Sequence, residues 1–214
     1  MSTEPKDETR LIFEDPNAVQ VRVTLLGIEP RVWRRLVLPI TATLAQLHNA
    51  IQAAFGWQDC HLHTFNVGGL RYGDAELFAE ECIDDAEPRT FESADVMLRD
   101  FEFGLDGVGP VIKYTYDFGD NWVHTIEFEK QLTMKPAPKT ASCIEGARAC
   151  PPEDVGGPHG YARFLGVLLT PEADQLEEQR QLKVWSGGTF HPGTFDLAKA
   201  DKAVSKLFRR KRAR

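Results

Sequence analysis

The chain has 214 residues and a formal net charge of −7, with 42% hydrophobic and 27% charged residues. That composition suits one globular domain with extensions and excludes fibrous, low-complexity and disulfide-scaffold classes. No apolar run approaches the ~20 residues that span a bilayer, and the polar start MSTEPKDETR lacks a secretory pattern, so a cytoplasmic protein with no membrane partner is expected.

Residues 1–17 read as a disordered acidic arm. Val19, Val21, Val23 and Leu25 alternate with polar residues, which predicts a half-buried strand over 18–28. After the turn signal EPRV, a second strand runs from Val32 to Pro39 and completes a hairpin. Thr43 and Gln46 form a capping-box pattern. Leu44, Leu47, Ile51, Ala54 and Phe55 make one helical stripe, and Gly56 stands where a helix ends. HLHTFNVGGLRYGD alternates again and turns at Gly68-Gly69. Residues 74–106 hold twelve acidic and two basic residues and read as a surface excursion with one short helix.

YTYDFGDNWVHTIEFE, Tyr114 to Glu129, reads as a hairpin whose loop is Phe118 to Asn121. That register sets Asp117 opposite Trp122 and Thr115 opposite His124. It places Asp117, Trp122 and His124 on one face, with Tyr114 and Tyr116 on the other. Residues 133–160, rich in Pro, Gly and Cys, read as loop. GYARFLGVLL reads as a buried helix. A further helix is expected to open at Thr170-Pro171. The last helix carries the stripe Leu197, Ala200, Val204 and Leu207. Residues 199–214 have eight Lys/Arg and one Asp, so the preceding 198 residues carry −14 of the total. Such an acidic body repels a phosphate backbone, and nucleic acid could be met only through the basic tail, residues 209–214. Adjacent strands first and helices gathered later predict an α+β fold: an antiparallel sheet with β-hairpins packed against several helices, one compact domain over 18–208.

Four constellations could carry chemistry. Asp117, Asp120 and His124 at the hairpin could hold a divalent ion or move protons, with Glu153 and Asp154 in support; the competing reading is a well-made turn. Cys143 and Cys150, with His159 near in sequence, could form a structural zinc site, although their spacing is wider than a zinc knuckle's; the competing reading is a stiff loop with buried thiols. His61 and His63 of the CHLH run could ligate together. Arg34, beside Arg35 and Trp33, could clamp an anion or, with Trp122, touch a partner; on a strand one of the two arginines points inward. GxGxxG, GxxxxGK[ST], GxSxG and HExxH are all absent.

VWRRLVLP, TLAQLHNAIQAAFGW with HLHTF, YTYDFGDNWVHTIEFE, CPPEDVGGPHGY and WSGGTFHPGTFDL occur in this order. Together they resemble the plasmid pRiA ORF-3-like family, also known as passenger proteins of insertion elements. The resemblance runs from about Ala18 to Leu207. It implies a compact α+β domain and implies no particular reaction. Trp33, Arg34, His48, Trp57, His61, Phe65, Asp117, Gly119, Asp120, Trp122, His124, Cys143, Cys150, Glu153, Asp154, Gly156 and Gly157 stand at matching positions. The leading functional expectation is an accessory or binding module of mobile elements that recognises a protein or peptide without catalysis. A metal-dependent hydrolase built on Asp117, Asp120 and His124 comes second, and a structural zinc site at Cys143 and Cys150 third.

Overall fold

The computed structural model describes residues 15–81, 89–104, 109–170 and 172–207. The expectations for the first fourteen residues of the acidic arm and for the basic tail lie outside these residues. Eight strands form one sheet: β1 (Ala18–Leu25), β2 (Trp33–Pro39), β3 (His63–Val67), β4 (Leu70–Gly73), β5 (Thr90–Glu92), β6 (Val111–Tyr116), β7 (Trp122–Leu132) and β8 (Ser142–Ala147), in the order β5-β4-β3-β6-β7-β1-β2-β8. All pairings are antiparallel except β4 with β5. Among the described residues five α-helices accompany it: α1 (Leu44–Phe55), α2 (Ala75–Glu81), α3 (Gly157–Leu169), α4 (Leu176–Trp185) and α5 (Leu197–Leu207). The α+β expectation holds.

Register decides which face is buried. Phe65 pairs with Tyr114, Tyr114 with His124, His124 with Leu25, and Val21 with Leu36. These partners share one face and are all buried. Leu44, Leu47, His48, Ile51 and Phe55 of α1 join the same core, and α5 packs on α1 and β8. The opposite face is charged: Arg35 pairs with Glu129 at 2.8 Å and with Glu145, and Arg22 lies over the Trp33 ring. The sheet is therefore one-sided, with a continuous apolar face beneath the helices. The α1 capping box and the left-handed Gly56 are both present.

Four local expectations are corrected. Tyr116, not Asp117, pairs with Trp122, and Tyr114, not Thr115, with His124. Tyr114, Tyr116, Trp122 and His124 thus share the core face. Asp117 leaves the ladder for the turn, with Asp117 and Asn121 both at positive φ. The four aromatic rings bury far more apolar surface in this register than in one that sends the tyrosines outward. Secondly, β8 lies within the stretch read as loop; the otherwise open edge of β2 supplies its hydrogen bonds and Cys143 enters the core. Thirdly, Thr170 closes α3, donating to the Gly166 carbonyl, and α4 begins at Leu176 after a short 3-10 turn. Finally, the described part of the acidic excursion is more than surface, since Leu98 and Phe101 enter the core.

Candidate metal centre

Three segments meet at the β6–β7 turn. Residues 57–62 join α1 to β3. There the Trp57 indole donates to the Pro151 carbonyl at 3.1 Å, the Gln58 N–H to Glu153 Oε1 at 2.7 Å, and the Cys60 N–H to the Tyr116 hydroxyl at 3.1 Å. The second segment is the turn itself, held to the first by the Asp117 N–H donating to the Leu62 carbonyl. The third, residues 150–156, leads into α3, where the Gly156 N–H donates to Asp120 Oδ2 at 3.0 Å. Each segment holds one aspartate in the left-handed region: Asp59 at φ 56°, Asp117 at 55° and Asp154 at 55°. A non-glycine residue there costs on the order of 1 kcal/mol. Three together are held by the contacts around them.

Asp117 uses its two carboxylate oxygens differently. Oδ1 accepts from the Gly119 and Asp120 N–H groups at 2.9 and 3.2 Å and closes the turn. Oδ2 lies 3.6 Å from His61 Nε2, and Asp154 Oδ1 lies 3.0 Å from the same nitrogen. His61 Nε2 is nevertheless buried without a hydrogen bond. The 3.0 Å approach is an ion-pair distance without hydrogen-bond geometry. Donor atoms are thus gathered round a point rather than joined as a His–Asp pair. The donor atoms of His61, Asp117 and Asp154 lie within 4.8 Å of one another, as do those of Cys60, His61 and Glu153. The Tyr116 hydroxyl donates to Glu153 at 3.2 Å, and burial raises this phenol above its ordinary value, which keeps it a donor.

Deeper in the fold, His48 Nε2 lies 2.7 Å from Asp59 Oδ1, and Nδ1 lies 2.8 Å from the Tyr114 hydroxyl. The His63 ring stacks on His48 with centroids 3.5 Å apart. The His48 hydrogen bond lowers the Asp59 carboxyl, and burial, followed by His48, lowers His63 to about 3.

Residues 17–199 match the family of plasmid pRiA4b ORF-3-like proteins. The chain belongs to that family. It is 35% identical over 199 residues to the uncharacterized protein y4hQ of Sinorhizobium fredii, covering 89% of this chain and 92% of that one. It also resembles the crystal structure of MM3350 from Methanosarcina mazei Go1, titled a protein of unknown function. That likeness has a TM-score of 0.70 at 33% identity and covers 85% of this chain and 95% of the other.

The family motifs thus surround a real junction, but they do not all meet there. Asp117, Glu153 and Asp154 come together. Asp120 stands beside them and anchors the start of α3. His124 does not reach them: it is 0% exposed, its Nδ1–H donates to the Trp122 carbonyl, and its ring packs edge-on to Phe55 and Trp57. Trp122 is equally buried against Trp57. Arg34 faces the core, donates to the Trp33, Ala54, Ala147 and Arg148 carbonyls, and lies between the Phe55 and Phe195 rings. The acid-paired arginine is the outward Arg35. Burial raises the Cys143 thiol to about 11 and the Cys150 thiol well above its usual value. His159 is exposed on α3. Among the described residues none of these last three falls in a cluster of three ligand atoms.

The sequence pairs His61 with His63 rather than with the hairpin carboxylates, marks His48 only as a family-matching position, and leaves Asp59 unmarked. The donors of DCHLH were the available signal for His61 and Asp59. For His48 it was a histidine set among Leu44, Leu47 and Ile51 on an apolar helical face.

Burial lowers His124 from 6.5 to about 3. As pH falls below about 6.5, the unfolded chain binds a proton that the folded chain refuses until about pH 3. Stability contributed by this group is therefore full at neutral pH and falls by about 1.4 kcal/mol per pH unit on acidification. His63, lowered likewise, adds a similar part, so urea unfolding between neutrality and pH 4 is expected to show the sum of the two, and His124→Phe is expected to remove about half of it. An unchanged slope in the variant would assign the acid lability elsewhere.

Residues 57–58 and 150–154 of the junction line a cleft of about 540 Å³ to which Asp154, of the three donor residues, contributes, and whose wall also includes Trp185 and Lys199.

Proposed function

We propose that this chain is a metal-dependent hydrolase acting on phosphoesters in that cleft. The observation that carries the reading is the convergence of Asp117 Oδ2 and Asp154 Oδ1 on a buried His61 Nε2 that makes no hydrogen bond. One imidazole and two carboxylates suit Mn²⁺ or Zn²⁺. Three protein ligands leave coordination positions for water and substrate, unlike closed structural sites. The ion would lower the pKa of bound water and polarise a phosphoryl oxygen. Glu153 stands beside the ligands to take the water's proton, and Lys199 on the cleft wall offers the positive charge an anionic substrate needs. The metal site expected at Asp117, Asp120 and His124 is thereby redrawn, with His61 supplying the imidazole.

Metal-loaded protein is expected to hydrolyse p-nitrophenyl phosphate or its bis ester. His61→Ala and Asp117→Asn should each lower bound metal and turnover by about 100-fold or more. Wild-type metal content and rates in both variants would reject the proposal.

A second reading is recognition of a protein or peptide without chemistry. It is favoured by Val184 and Trp185 on α4, which are 83% and 48% exposed, with Trp185 on the cleft wall. The family's description, after an open reading frame of plasmid pRiA4b, fits an accessory role on mobile DNA. A protein that binds metal but turns over neither ester, yet loses a partner on Trp185→Ala, would favour this reading.

A further inference from the structure

The second set of donors, behind the first, is made by His48, Asp59 and His63. We infer that it is a separate transition-metal site of the two-histidine, one-carboxylate type. His48 comes from the middle of α1, His63 from the first residue of β3, and Asp59 from the connection between them. Their donor atoms lie within 4.8 Å of one another. Two neighbouring imidazoles and a carboxylate on separate segments need a reason to be assembled inside the fold.

The present contacts supply only part of that reason. The His48–Asp59 hydrogen bond satisfies one pair. His63 Nε2 is buried and without a hydrogen bond, while its ring lies parallel to His48 at an interplanar angle of 6°. Leaving a buried ring nitrogen unpartnered is costly, and stacking replaces none of that directional bonding. An ion would supply the missing partner. It would accept the His63 lone pair, take over Asp59, and bind His48 through the nitrogen that now faces Asp59. For that, the proton on His48 Nε2 moves to Nδ1, whose N–H then donates to the Tyr114 oxygen, and the Tyr114 O–H that donates to Nδ1 in the present tautomer must turn to another acceptor. Gln52 already donates to that oxygen at 3.1 Å and fixes its position. A hydrogen-bonded outer partner of this kind orients ligating histidines generally. The two rings, now stacked at 3.5 Å, must also tilt well out of parallel, because each lone pair lies in its own ring plane and an ion can lie in both planes only where they intersect.

Two nitrogens and one oxygen select Zn²⁺, Fe²⁺ or Co²⁺ over Mg²⁺ or Ca²⁺. The Asp59 side chain is half-exposed, whereas His48 is buried and His63 only partly exposed, so the free coordination positions would face outward past Asp59. The site shares no ligand with His61, Asp117 and Asp154, and it stands or falls independently of the hydrolase reading.

The test is Co²⁺ titration of the metal-stripped full chain, followed by calorimetry and by the visible d–d absorption of the bound ion. Wild type is expected to bind two ions. His63→Ala and Asp59→Asn should each lose one, with affinity at that site weakened about 100-fold or more, and should keep the ion lost in Asp117→Asn. Asp59→Asn can preserve the hydrogen bond to His48, so it guards against a misfolded His63→Ala. A single ion lost only in Asp117→Asn overturns this inference and leaves the first site standing. A single ion lost only in His63→Ala and Asp59→Asn supports this inference and removes the first site. No bound ion overturns both.

Discussion

Replacing Arg34 by alanine is expected to lower the unfolding free energy by about 3–5 kcal/mol, read as the shift in denaturant midpoint at constant slope. Arg34 is 2% exposed. Its guanidinium donates to four backbone carbonyls: Trp33 on its own strand, Ala54 in the last turn of α1, and Ala147 and Arg148 at and beyond the end of β8. Burial lowers its pKa, yet arginine keeps its charge in proteins. Alanine leaves those carbonyls without a donor, opens a cavity between Phe55 and Phe195, and unties three elements at once. Arg34→Met separates the contributions, because it fills volume and donates nothing. It is expected to recover part of the loss, and a midpoint equal to wild type would show that the carbonyls do not need Arg34.

Gly157→Ala is expected to cost about 2–4 kcal/mol and to weaken metal binding at His61, Asp117 and Asp154. Gly157 has φ +65°, and a Cβ built there would stand 2.4 Å from the Asp120 carbonyl oxygen. A left-handed alanine costs about 1–2 kcal/mol, and overpacking against backbone adds about 1–3 kcal/mol. The neighbour that must give way is the β6–β7 turn, which positions Asp117. The start of α3 would move off the Asp120 carboxylate as well, taking Asp154 with it. Thermal melting and Co²⁺ affinity would therefore move together. A large stability loss with unchanged affinity would show that the turn and the residue 150–156 loop are not coupled through this contact.

Arg34 and Gly157 also mark how far the sequence reached. Alternation in Val19 to Leu25, the Thr43–Gln46 cap and the stripe of α1 follow from local periodicity, so those elements were legible along with the α+β class. The family motifs were legible too, because they are runs of neighbouring residues. The β6–β7 register was not, because Asp117 fits either the end of a strand or the start of a turn. The choice rests on rings from β3, α1 and residue 57 that the local sequence does not display. β8 was hidden for the same reason, being a strand because β2 has an edge to offer.

At the site, the sequence alone determined that aspartates, glutamate and histidine occur near the hairpin and the CPPED loop. Only the tertiary structure decided which imidazole lies beside them. Side-chain alternation put His124 beside Asp117, whereas packing buried His124 under Phe55 and Trp57 and brought His61 from 56 residues upstream to the carboxylates. Chain neighbours are fixed by covalent geometry, but ligand sets are fixed by which segments the core forces together.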